Sequence, residues 1–144
     1  MKNYVLYYWS RYGHNKKIVN HLSDKLKGND VEIKVINTDD ADPNNIPEAD
    51  IYVFSAPAEA FNVQRSMRSF MKKIGGAEGK KYAIINTHAM NKNWLYKMDK
   101  ILSKKNMVKI ADVDFQIGKE GQKQAEGFIG DWEQKLDDFS KKLK

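Results

Sequence analysis

Cysteine is absent from the chain, so disulfides, thiolate metal sites and cysteine nucleophiles are excluded, and a reducing, cytoplasmic compartment is the natural setting. Redox chemistry would then need a cofactor. Long apolar runs are missing too. Nowhere do the roughly 18 consecutive apolar residues of a membrane span occur, and the opening MKNYVLYYWS has one lysine but no small-residue cleavage site, so neither a span nor a signal peptide is expected. Histidine is scarce. His14, His21 and His88 lack metal-ligand spacing, and no serine lies in a nucleophile elbow with a placed base. No metal site, hydrolytic triad or catalytic side chain is nominated.

Acidic residues are the minority sign, 19 Asp plus Glu against 25 Lys plus Arg, for a formal charge of +6. Such an excess attracts acidic proteins, phosphorylated ligands or nucleic acid at long range. Many of the lysines are paired at helix ends or turns (72-73, 80-81, 104-105, 141-142), where solvation and helix dipoles account for them. With no recognised motif and no interleaved basic-aromatic strand surface, nucleic acid is not an expected partner. What the chain does have is core material: 41% of its 144 residues are apolar and 11% aromatic. That composition predicts one domain, residues 1–144, burying roughly two thirds of the unfolded surface.

Hydrophobic periodicity orders the elements. NYVLYYW (3–9), IYVFSAP (51–57) and KYAIINT (81–87) are nearly continuous apolar runs, as expected of strands buried on both faces of a parallel sheet. VEIKVIN (31–37) alternates before turning apolar and suits a strand near a sheet edge; MVKIADVDFQIG (107–118) is the fifth candidate. Between them lie helical faces: Ile18, Val19, Leu22 and Leu26 before a Gly28 stop; Val63, Met67, Phe70, Met71 and Ile74 before Gly75-Gly76; Trp94, Leu95, Met98, Ile101 and Leu102. A final helix carries Trp132, Leu136, Phe139 and Leu143, with Asp131 as cap and Gln134 three positions on. The stretch TDDADPNNIPEAD is an acidic, proline-broken loop with room for a short turn of helix. The order β-α-β-loop-β-α-β-α-β-α predicts a parallel sheet with helices on both faces, and ligands in such folds bind beyond the carboxyl ends of the strands. The loops after the first, third and fourth strands are therefore the places to search.

The first of these, Ser10 to Asn15, joins a buried strand to a helix amino end, where free N–H groups and the helix dipole bind phosphate. Ser10 and Asn15 offer neutral hydrogen bonds, Gly13 allows a close turn, and Arg11, His14 and Lys16 supply positive charge. An ordinary capped turn uses the same residue types.

The second stretch, ADIYVFSAPAEAFNVQRSMRSFM, resembles the flavodoxin family in Asp50, the apolar strand, Ser55, Pro57, Asn62, Val63, Met67 and Phe70. The likeness extends to the first loop, where the family has Ser/Thr-x-Thr-Gly-Asn-Thr and this chain has Ser10, Arg11, Tyr12, Gly13, His14 and Asn15, and to YAIINTHAM as fourth strand and flavin-side loop. The resemblance implies a three-layer α/β/α sandwich on a five-stranded parallel sheet of order 2-1-3-4-5. It implies non-covalent FMN and electron transfer, as a carrier or as a quinone- or NAD(P)H-linked reductase. The turn from Ser10 to Asn15 would cradle the phosphate. Pro57, Ala58, Glu59, Ala60, Phe61 and Asn62 would cover one ring face, and Thr87, His88, Ala89, Met90 and Trp94 would border the other. Departures from the family pattern are Tyr12 in place of a threonine, His14 and Asn15 in place of Asn and Thr, Glu59 in place of a stacking aromatic, Phe61 in place of a glycine, and His88, Met90 and Trp94 in place of a glycine run in the third loop. The positive charge suits an acidic redox partner protein. The alternative is a binding module of the same fold that has lost FMN and uses the crevice for another anion or a protein.

Overall fold

The computed structural model describes residues 1–121 and 125–144, the side chain of Glu120 excepted. The main sheet is parallel and runs in the order β2 (Val31–Asn37), β1 (Lys2–Tyr8), β3 (Ile51–Glu59), β5 (Lys81–His88), β6 (Val108–Gln116). Counting parallel strands alone, this is the 2-1-3-4-5 order. Alternation along each strand divides the side chains between the two faces. Val5, Tyr7, Tyr52, Phe54, Tyr82 and Ile84 pack on one face with Met67, Phe70 and Met71 of α2 (Arg65–Lys73) and Met98 and Leu102 of α3 (Leu95–Ser103). Tyr4, Leu6, Ile51, Val53, Ala83 and Ile85 pack on the other with Ile18, Val19, Leu22 and Leu26 of α1 (His14–Leu26) and Leu136, Phe139 and Leu143 of α4 (Trp132–Leu143). Because the central strands are covered twice, their sequences read as unbroken apolar runs. Each such fully buried side chain contributes about 1.5–3 kcal/mol.

Three local details differ from the sequence reading. The third strand continues past Pro57 to Glu59 and turns back into a two-residue antiparallel strand, β4 (Asn62–Val63), pairing Ala58 with Val63 and Glu59 with Asn62. Val63 therefore belongs to a strand; Gln64 caps α2, its side chain accepting from the Met67 N–H. Helix α1 ends without glycine: the Lys27 N–H bonds the Ser23 carbonyl, and Gly28 keeps a negative φ. Asp131 does cap α4, Oδ1 accepting from the Gln134 N–H at 3.1 Å, but the Gln134 side chain bonds Asp138 and closes no reciprocal box. The acidic loop holds one 3₁₀ turn, Thr38–Asp40, stabilised by the Asn37 side chain accepting from the Asp39 N–H. Among the described residues no helix is long and apolar enough to cross a membrane.

Candidate functional site

From β1 the chain crosses first to β2 and then back to β3 on the opposite side. Loops leaving β1 and β3 therefore diverge, and a crevice opens beyond their carboxyl ends. A cavity of about 350 Å³ lies there, within the size range of small-molecule sites. Its walls are Ser10, Arg11, Tyr12, His14 and Asn15 after β1, Pro57 to Ala60 at the end of β3, Thr87 to Ala89 at the end of β5, and Ile117 after β6.

The wall after β1 presents main-chain donors without acceptors among the described residues. Gly13, at φ 95°, lets the chain enter α1, and the helix has no side-chain cap and no acidic residue in its first turn. None of the N–H groups from Ser10 to Lys16 has a main-chain or side-chain acceptor among the described residues. The Ser10 hydroxyl is buried and likewise without a partner. Partnerless buried polar groups are costly and rare, and a row of them at a helix amino end attracts negative charge. A Cβ on Gly13 would stand 3.2 Å from the Ala125 Cβ, so the turn is also closely covered.

Asn15 holds the floor together rather than facing outward. Its Oδ1 accepts from the Ser55 hydroxyl at 2.9 Å and its Nδ2 donates to Thr87 Oγ1 at 3.0 Å, linking α1 to β3 and β5. Asn86, beside Thr87, donates to the Ala56 carbonyl and accepts from the Trp94 N–H, fixing the start of α3. His14 is engaged as well: its Nε2 donates to the Glu126 carbonyl at 2.7 Å, and its ring meets Phe128 edge-on. At the far wall, His88 Nδ1 donates to the Met90 carbonyl, and Nε2 lies 2.6 Å from an Asp114 carboxylate oxygen. The segment after β6 returns through a bridge between Ile117 and Phe128, which brings Ile117 to the cavity and stacks Phe128 on Trp132.

A bidentate ion pair joins the first two walls. Arg11 Nε lies 2.5 Å from Glu59 Oε2 and Nη2 2.7 Å from Oε1, while the guanidinium stands over Trp9. Hydrogen bonding to Glu59, reinforced by its charge, raises the Arg11 pKa further. Beyond Glu59, Ala60 and Phe61 both have positive φ, 51° and 60°. Two consecutive left-handed residues are the mark of a type I′ hairpin turn, here without its usual Asn or Gly.

No family model and no curated protein matches the chain. Solved structures do. Oxidised flavodoxin 1 from Bacillus cereus superposes at TM-score 0.74 with 14% identity, over 99% of this chain and 97% of that one. Two-electron reduced Megasphaera elsdenii flavodoxin gives 0.74 with 12% identity, over 95% and 97%. Rubredoxin oxygen:oxidoreductase from Desulfovibrio gigas gives 0.79 with 11% identity, over 99% of this chain but 35% of that longer one. The chain has the flavodoxin fold.

In this flavodoxin-like chain the residues nominated from sequence converge, with exceptions. Ser10, Arg11, Tyr12, His14, Asn15, Pro57, Ala58, Glu59, Ala60, Thr87, His88 and Ala89 line one cavity. Gly13 shapes the turn through its backbone. Phe61 and Met90 point to solvent, 73% and 59% exposed, Asn62 borders a separate groove, and Trp94 packs with the core and Tyr96. The charge assigned to Arg11 is taken up by Glu59, and the hydrogen bonds assigned to Asn15 are spent inside the protein. Ile117 escaped the sequence reading, which searched only three loops; its place at the end of the last parallel strand was the available signal.

Proposed function

We propose that the chain binds FMN non-covalently in this cleft and serves as an electron-transfer protein. The observation that carries the reading is the buried, partnerless Ser10 hydroxyl beside the free N–H groups of the α1 amino end. These groups would hold the phosphate. Pro57 to Ala60 and Thr87 to Ala89 would border the ring, and Ile117 supplies an apolar surface beside them. FMN, when bound, supplies one- or two-electron redox chemistry that no side chain of this cysteine-free protein offers. Proteins of the same fold have been captured in oxidised and in two-electron reduced form, which supports a redox reading. The protein's own part is to fix the ligand and limit water: Asn15 and Asn86 lock the three walls, and the Arg11–Glu59 pair spans two of them.

Fluorescence titration with FMN and riboflavin tests this. A hydrogen bond to a charged group is worth about 1.5–3 kcal/mol, so Ser10→Ala should weaken FMN by roughly tenfold or more and leave riboflavin unchanged. Equal affinity of FMN and riboflavin in the parent would defeat the phosphate assignment. A second reading, a flavin-free module of the same fold, is favoured by Glu59, which places a carboxylate and its arginine where a ring-facing loop is expected. Binding of inorganic phosphate without binding of FMN would select it.

A further inference from the structure

A second opening, of about 420 Å³, lies between α2 and α3. Apart from Asn62 and Ile101, its lining is wholly cationic: Arg68, Lys72, Lys97, Lys100, Lys104 and Lys105. Among the described residues none of these six is paired with a carboxylate; the ion pairs involve Arg11 and Lys17, 25, 27, 34, 80, 109 and 141 instead. The single acid of α3, Asp99, is turned away to Tyr82 and Lys109. A chain of net charge +6 thus gathers as many unbalanced cations in one groove.

The groove adjoins the cleft. Ala60 lines the first opening and Asn62 the second, so the two meet at the hairpin whose tip is Phe61, 73% exposed. Tyr96, 51% exposed, stands next to Lys97, and Lys92 lies over the Trp94 and Tyr96 rings. Exposed aromatic residues serve as docking anchors, and a positive surface around them complements a partner of opposite charge. The cations are long, flexible side chains with no backbone N–H cradle among them, which suits an extended run of carboxylates better than one small anion.

We propose that the α2/α3 groove docks an acidic protein segment, with Phe61 and Tyr96 as apolar contacts. The partner's role as electron donor or acceptor rests on the flavin reading; the docking surface does not. Steering by such a patch accelerates encounter and weakens with salt.

The test uses a short fluorescein-labelled poly-L-glutamate, followed by anisotropy with rising salt, and FMN titration of the same proteins. One variant combines Lys72→Glu, Lys100→Glu and Lys104→Glu; a control of equal charge change combines Lys34→Glu, Lys142→Glu and Lys144→Glu. A milder Lys→Gln set at 72, 100 and 104 guards against misfolding. The groove reversal should weaken poly-L-glutamate about tenfold or more, since each exposed pair contributes a factor of about 1.4–5, and the control less than about twofold. The glutamine set should fall between. Equal weakening by groove and control variants would overturn the proposal, as would tighter, groove-dependent binding of oligothymidylate, which would make the surface a nucleic-acid site. Groove-dependent poly-L-glutamate binding by a protein that ignores FMN would uphold the docking surface while refuting the flavin reading.

Discussion

Replacing Phe61 by glycine should stabilise this protein, although it removes a large side chain. Phe61 sits at φ 60° directly after Ala60 at φ 51°, and a left-handed conformation costs a residue with a Cβ about 1–2 kcal/mol. Glycine removes that strain but gives up about 0.5–1 kcal/mol through its freer unfolded chain. Little else is lost, because the ring is 73% exposed. The net gain is about 0.5–1 kcal/mol. For 144 residues, an unfolding entropy of about 2.1 cal/mol/K per residue turns this into a rise of roughly 2–3 °C in Tm. Ala60→Asn with Phe61→Gly, the preferred type I′ pair, should roughly double the gain. Gly76 provides the mirror experiment: it has φ 79°, and an added Cβ would meet nothing within 4 Å, so Gly76→Ala should cost about 0.5–1 kcal/mol net, the backbone strain less the gain from a stiffer unfolded chain. Urea and thermal unfolding measure both. An unchanged or lowered Tm in Phe61→Gly, with the expected loss in Gly76→Ala, would refute the strain argument at the hairpin.

Asn15→Leu leaves the buried Ser55 and Thr87 hydroxyls without their partner and should destabilise by about 2–5 kcal/mol, read as a lowered urea midpoint at unchanged m-value. Burial, aided by neighbouring Tyr52, raises the Tyr7 phenol above its ordinary 10.0. The folded state therefore keeps a proton that the unfolded chain releases. The resulting stability is intact below pH 10 and declines above it by about 1.4 kcal/mol per pH unit for this group. Tyr7→Phe should flatten the fall in urea-derived stability between about pH 10 and 12; an unchanged slope would rule the phenol out. Gly13→Val, strained by φ 95° and pressed against Ala125, should lower FMN affinity more than Ser10→Ala does, in the same fluorescence titration.

The sheet was legible because its physics is local. Val5 to Tyr7, Ile51 to Ala56 and Tyr82 to Ile85 are buried on alternating faces under two helix layers, so they print as apolar runs, whereas the edge strand β2 alternates. The hairpin was not legible, since Ala-Phe carries no turn signal and is held at positive φ by the pairing of β3 with β4. Side-chain duties within the cleft were hidden for a different reason. Asn15 finds its partners 40 and 72 positions away, and Arg11 finds Glu59 at a separation of 48; only the folded chain decides whether such a group faces a ligand or another wall. The basic groove combines residues of α2 and α3 whose lysines, read singly, are ordinary solvated helix ends.

The central claim is that the turn after β1 reads the phosphate of FMN, and amide chemical-shift mapping by two-dimensional NMR tests it most directly. Addition of FMN should move the amides of Ser10 to Lys16 most, with smaller shifts at Ala58 to Ala60 and Thr87 to Ala89. Riboflavin should spare the first group. Shifts confined to other surfaces, or identical maps for FMN and riboflavin, would contradict the account.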